Sequence, residues 1–235
     1  MENILIEGYE FIKIDLGGAT AVFSTAKNNL DFNKATVSGR RNMENLKKWF
    51  KLKNVGYLSQ VHGDKLIIYK NKIEDADGIF TGESNIAVGV FNADCVPILL
   101  YDKEKGIIAA VHSGWRGTYN LILSKAIEKL EREYKSNVEN IKVYIGPHIG
   151  VCCYTVGEEL IAKFKNSMFY KDKDIFVNNN LDLKKCLLYQ LKDKGIKDRN
   201  INCLDICTSC SSEYKLHSYR KNKKCGRQFS FLYLN

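Results

Sequence analysis

Apolar and polar positions in the middle of the chain alternate between two periods. Ile86–Phe91 is a short apolar run that reads as a strand and stops at the polar turn Asn92-Ala93-Asp94-Cys95. Val96–Tyr101 and Ile107–Val111 are two more, and the linking Asp102-Lys103-Glu104-Lys105-Gly106 predicts a hairpin because glycine sits in a polar turn. Val55–Val61 reads as an earlier strand ending at Gln60-Val61-His62-Gly63. From Thr118 to Tyr134 the period lengthens, with Leu123, Ala126, Ile127, Leu130 and Tyr134 on one helical face. Val143–Ile145 returns to strand. Helices are predicted near Gly157–Met168, with Leu160, Ile161 and Phe164 inward, and over Leu181–Lys194, with Leu183, Leu187, Leu188 and Leu191 apolar and Gly195 as the stop. Gln228–Leu234 is the last strand. This mixture predicts an α/β or α+β sandwich whose polar motifs gather at strand ends.

Only two prolines and no Pro, Gly or Ser-rich linker interrupt the 235 residues, so a single domain over 1–235 is expected. The apolar runs are far shorter than a membrane span, and Met1-Glu2-Asn3-Ile4 does not open a secretory leader, so a soluble, cytoplasmic protein is expected. In that setting the eight cysteines are read as reduced thiols, metal ligands or reactive sulfur rather than a disulfide framework. The formal charge of +9 points to an anionic partner, which could be phosphate, a nucleotide or nucleic acid. No basic helix or aromatic-rich RNA motif stands out, which argues against the last. The oligomeric state is left open.

Three polar interruptions of the apolar middle contain His62, Cys95 and His112. Their spacings of 33 and 17 residues are too wide for a small zinc finger. Ligands from three strand ends suit a pocket instead, and a His2Cys set leaves the fourth tetrahedral position open. Thiolate with imidazole prefers zinc, or copper, to magnesium. Asp64 beside His62 and Asp94 beside Cys95 are candidates to orient ligands or carry protons, while Asp77 reads as a turn residue. Arg116, in Gly114-Trp115-Arg116-Gly117 before a helix start, suits an anion site, and Trp115 is a candidate to stack on a base. Cys203, Cys207, Cys210 and Cys225 form a looser, weaker constellation, Cys152-Cys153 reads as packing beside a loop, and His148 and His217 have no clear partners.

The motifs Ser59-Gln60-Val61-His62-Gly63, Asn92-Ala93-Asp94-Cys95-Val96-Pro97, Val111-His112-Ser113-Gly114-Trp115-Arg116-Gly117, Gly146-Pro147-His148-Ile149-Gly150 and Cys152-Cys153-Tyr154 occur in this order. Together with Ser218-Tyr219-Arg220 and Gly226-Arg227, they resemble the laccase-domain family, also called multicopper polyphenol oxidoreductase-like. The resemblance spans about Phe23 to Leu234. It implies a four-layer α/β/β/α sandwich of α+β class, like the fold of toxin Cys-His deamidases. It also implies a purine nucleoside phosphorylase acting on adenosine, inosine and methylthioadenosine with phosphate, with adenosine deaminase activity beside it. The implied metal ligands are His62, Cys95 and His112. Arg40 and Arg41 are both candidates for a phosphate-facing arginine, Gln60 joins Trp115 as a substrate contact, and Asp94 and Arg116 are the candidate catalytic residues.

Two other readings compete. A metal-free Cys95–His112 thiol hydrolase or amidase, acting on peptide or cell-wall precursors, would need the thiolate that zinc ligation quenches. A copper-dependent polyphenol oxidase would need many imidazoles, and the chain has four histidines.

Overall fold

Period-2 alternation within each apolar run sends neighbouring side chains into different cores. We describe all 235 residues from a computed structural model. In chain order, β1 (Glu2–Ile6), β2 (Tyr9–Asp15) and β3 (Ala19–Ser24) precede α1 (Val37–Trp49). Strands β4 (Asn54–Gly56), β5 (Leu66–Ile68) and β6 (Gly78–Thr81) are short, whereas β7 (Ile86–Asn92), β8 (Val96–Asp102) and β9 (Ile107–Ser113) are longer. Then come α2 (Trp115–Tyr119), α3 (Ile122–Tyr134), β10 (Ile141–Ile145), α4 (Glu158–Lys165), the short pair β11 (Phe176–Val177) and β12 (Asn180–Leu181), and α5 (Leu183–Asp193). Strands β13 (Ile201–Cys203) and β14 (Gln228–Leu234) end the chain.

Two six-stranded sheets carry the fold, one ordered β1-β2-β3-β14-β7-β4 and the other β13-β10-β8-β9-β6-β5. Along β9, Ala109 and Val111 face a core shared with Leu123, Ala126, Ile127 and Leu130 of α3 and with Leu187 and Leu191 of α5. Ile108 and Ala110 point the other way, into a core that meets Val88 and Val90 of β7 and Leu232 of β14. The outer face of the first sheet is closed by Met43 and Leu46 of α1 against Phe11, Phe91, Phe229 and Phe231. The layers are therefore helix, sheet, sheet, helix, the α+β four-layer sandwich expected. Both sheets are covered on both faces, which is why their central strands read as unbroken apolar runs. No helix is long and apolar enough to cross a membrane.

Two element expectations are corrected. Val55–Val61 is strand only over Asn54–Gly56, because the following residues cross from the first sheet to the second. Their backbone groups find other partners: Ser59 N–H donates to Glu74 O, and Val61, His62 and Gly63 donate to Asp77. The helix over Thr118–Tyr134 is two helices, broken at Leu121 with φ 60°. Buried Gln190 of α5 sits at the break, accepting from the amides of Leu123 and Ser124 and donating to Thr118 O. A helix start away from water needs such an acceptor.

Candidate functional site

Antiparallel pairing places Pro97 of β8 opposite His112 of β9, so Cys95 just before β8 lies beside Gly114 just after β9. A Cβ on Gly114 would stand 2.9 Å from the Cys95 sulfur and 3.5 Å from the His62 ring. Glycine there lets the turn close over the pocket. Strand β6 pairs with β9 through Gly78 and Val111, which brings Asp77 against His112.

Asp77 is fully buried, and its carboxylate organises two of the three candidate ligands. It accepts His112 Nδ1–H at 2.8 Å and the backbone N–H groups of His62 at 3.1 Å, Gly63 at 2.6 Å and Val61 at 3.3 Å. Burial alone would raise its pKa, but His112 and the amides of Gly63 and His62 hold the carboxyl below the usual range. These bonds also hold His62 at φ 57°, a left-handed conformation that costs a non-glycine residue on the order of 1 kcal/mol. The Asp77 bond occupies one ring nitrogen of His112 and leaves the other for the pocket.

There the donor atoms of His62, Cys95 and His112 all lie within 4.8 Å of one another. The two rings stand almost perpendicular, with centroids 4.9 Å apart. His112 is buried, Cys95 half-buried and His62 exposed, so the group opens on one side. A buried imidazole backed by a carboxylate, with a thiolate and a second imidazole around one point, fits zinc and leaves room for a fourth ligand. Without an ion the pocket draws a proton from sulfur to ring. Burial would push the Cys95 thiol up, but His112, by charge and hydrogen bond, and then His62 bring it down to about 6. Burial would lower His112, yet Cys95 and Asp77 raise it to about 9.

This group forms part of the wall of a cleft of about 1000 Å³. Lys34, Arg116, Arg220, Lys223 and Arg227 line it, against one carboxylate, Asp94. Trp115, Tyr154 and Tyr219 add aromatic surface. The Arg116 guanidinium lies 4.6 Å from the Trp115 ring centroid and Arg220 lies 5.3 Å from that of Tyr154. Burial, with Cys95 and Asp94 nearby, pushes the Tyr154 phenol up to about 12, so it stays protonated.

Several expected residues sit elsewhere or act otherwise. Arg40 lines a separate hollow with Met43, Lys47 and Tyr57 and donates to Lys34 O at 2.9 Å; Arg41 is exposed and lines neither cavity. They extend from α1, on the outer face of the first sheet, whereas Arg220 and Arg227 enter the cleft from the segment before β14. Gln60 lines the cleft, but its amide clamps Phe91, donating to the carbonyl and accepting from the N–H at 2.7 Å each. Asp94 lines it too, at φ 94°, and both its oxygens are engaged, by Thr208 Oγ1 at 2.7 Å and Arg220 N–H at 2.6 Å. Asp64 does not back His62; it pairs with Lys125 at the surface. The orienting carboxylate is Asp77, and the Asp-Gly signal that marked it as a turn residue is the start of β6. His148 is buried and bonded to Gly146 O, and His217 to Leu30 O. Cys203 and Cys225 are not grouped with Cys207 and Cys210; Cys152 and Cys153 are.

Fold and site together define a class, an α+β four-layer sandwich in which two histidines and a cysteine that can hold a metal ion face a basic, aromatic cleft. The chain belongs to the multi-copper polyphenol oxidoreductase laccase family, whose model matches residues 16–235. A relative from Clostridium acetobutylicum, named a purine nucleoside phosphorylase, is 46% identical over 230 residues, 97% of each chain. A protein named adenosine deaminase RL5, from an unknown prokaryotic organism, is 33% identical over 167 residues, 68% of this chain and 63% of its own. The fold matches the solved structure of YlmD from Geobacillus stearothermophilus with a TM-score of 0.88 over 100% of both chains, at 22% identity.

Proposed function

We propose that the chain is a zinc-dependent purine nucleoside phosphorylase of the cytoplasm, acting on adenosine, inosine or methylthioadenosine with phosphate. The observation that carries this reading is the cleft, which sets a His2Cys group beside five basic side chains and the aromatic rings of Trp115, Tyr154 and Tyr219. Phosphorolysis asks for an anion cradle, a ribose pocket and support for the departing purine. Arg116, Arg220 and Lys223 cradle phosphate, and Trp115 and Tyr154 flank the base, Tyr154 as a hydrogen-bond donor. Asp94 positions Arg220 by holding its backbone amide, a role that replaces proton carriage. His62, Cys95 and His112 hold the ion, which when bound supplies Lewis-acid chemistry at the cleft wall. The names of the relatives support the substrate class.

The test is incubation of metal-analysed protein with adenosine, inosine and methylthioadenosine, with and without phosphate. Free base and ribose 1-phosphate, or its methylthio analogue, formed only with phosphate are the expected products. Inosine from adenosine would report deamination as well. Arg116→Ala is expected to raise the phosphate requirement about 10-fold while changing stability by only about 0.5 kcal/mol, since the side chain is exposed. Arg40→Ala should leave the phosphate requirement unchanged. Severe unfolding of Arg116→Ala would show a structural clamp instead.

One observation favours a second reading. Cys95, His112 and Asp77 stand as nucleophile, base and orienting carboxylate, the arrangement of a thiol hydrolase. Alkylation separates the two. With zinc bound, Cys95 is expected to label slowly until a chelator strips the ion, and then to label faster as pH rises through about 6. Fast labelling of metal-free protein as purified, together with loss of amidase activity, would overturn the zinc reading in favour of the hydrolase. Metal analysis of the same protein distinguishes zinc from copper.

A further inference from the structure

Outside the cleft, the sulfurs of Cys152, Cys153, Cys207 and Cys210 all lie within 4.8 Å of one another. We propose that these four cysteines bind a second, structural zinc ion, which clasps the loop after β10 to the long segment before β14. The proposal is independent of the nucleoside reading.

Adjacent residues ligate one ion only when the backbone bends between them. Residues 151–153 form a turn, closed by Cys153 N–H to Gly150 O at 2.9 Å, so the Cys152 and Cys153 sulfurs reach the same group. The other pair is a CxxC turn, Cys207-Thr208-Ser209-Cys210. Its first sulfur accepts the Gly150 amide at 3.3 Å, the kind of N–H···S contact that favours a thiolate. A tetrahedron with Zn–S bonds of ~2.3 Å has sulfur–sulfur edges of about 3.8 Å. The Cys152 and Cys210 sulfurs are 3.5 Å apart, near that edge and far beyond a disulfide bond of about 2.05 Å. Four thiolates leave no open position, which is the pattern of a structural site.

The surrounding chain has a reason to need the clasp. Between β13 and β14, residues 204–227 contain no helix or strand, an uncommon length for an unsupported loop. The same segment carries Tyr219, Arg220, Lys223 and Arg227 into the cleft, and Thr208 within the CxxC bonds Asp94. Tyr154 follows Cys153 directly. An ion here couples zinc binding to the order of one cleft wall.

The experiment uses full-length protein purified without chelator. Elemental and native mass spectrometry should find two zinc ions per chain, and one in Cys95→Ala. Co²⁺ loaded into Cys95→Ala should give intense thiolate-to-metal charge transfer and tetrahedral d–d bands, both lost on adding Cys210→Ser. In Cys95→Ala alone, which needs no change at the proposed site, Cys152 and Cys210 should resist alkylation until chelator is added. Chelator should also open residues 204–227 to protease. A Cys95→Ala chain that retains no zinc and takes up no Co²⁺, that labels these cysteines at once, or that shows a disulfide among them, would overturn the proposal whatever happens at the cleft.

Discussion

Cys95→Ala is expected to fold, to lose the ion at the cleft and to lose at least about 100-fold in phosphorolysis kcat/KM. The expectation follows from what is removed. Cys95 is half-buried, so truncation to alanine deletes one sulfur and costs roughly 1 kcal/mol of stability. What remains is two imidazoles, only one of them backed by a carboxylate. Altering a group behind a ligand already weakens metal affinity or activity about 10- to 100-fold, and loss of the only anionic ligand among the three exceeds that. Zinc content and nucleoside turnover measured on the same preparation check the point, with circular dichroism reporting the fold. Full occupancy of the cleft with full activity would remove Cys95 from the ligand set.

Asp77→Ala is expected to show the largest stability loss of any substitution near the site, about 3 kcal/mol, together with a 10- to 100-fold loss of zinc affinity. The side chain is inaccessible to solvent and receives four N–H donors, three from the His62 turn and one from the His112 ring. Alanine removes the acceptor of all four, the His112 ring N–H in a buried setting and the three amides in a partly buried one, and a buried donor left without an acceptor costs about 1–3 kcal/mol before any relaxation. The left-handed turn at His62 loses its support in the same step. Asp77→Asn keeps the shape and an acceptor oxygen but not the charge. It should recover part of the stability and little of the zinc affinity. Asp64→Ala is the control, because that carboxylate meets only Lys125 at the surface, and such pairs contribute about 0–1 kcal/mol. Urea unfolding and competition with a chromogenic chelator read the two effects separately. Equal behaviour of Asp77→Ala and Asp64→Ala would show that Asp77 orients nothing.

The central strands of both sheets were legible because they are built from local signals. β7, β8, β9 and β14 are apolar runs ended by polar turns, and the observed strands extend the expected ones by at most two residues at one end. The N-terminal hairpin carried a signal that was not read. Glu7 and Gly8 both have positive φ between Ile6 and Tyr9, which pair, and a Glu-Gly step between apolar runs is a weak form of the two-residue hairpin turn. The break at Leu121 was not legible, since its cause is Gln190, far along the chain on another helix.

The same division holds at the site. Residue type and position after a strand were enough to single out His62, Cys95 and His112, whose donor atoms the fold brings to one point, because a polar side chain leaves the core where a strand ends. The groups that support those side chains were not readable in this way. Asp77 reaches His112 across 35 residues, and its meaning comes from the register of β6 on β9. Arg40 and Arg41 lie on α1 at the outer face of the first sheet, away from the cleft, while Arg220 and Arg227 reach the cleft through a segment with no period to read. Cys152 and Cys210 are 58 residues apart and touch only because two irregular loops fold onto each other. By itself the sequence determined the periods, the turns and the inventory of ligating atoms, all properties of a few consecutive residues. Which carboxylate backs which imidazole, which cations face the cleft and which sulfurs share a point were decided by sheet register and loop packing, because those set distances between residues that no local pattern relates.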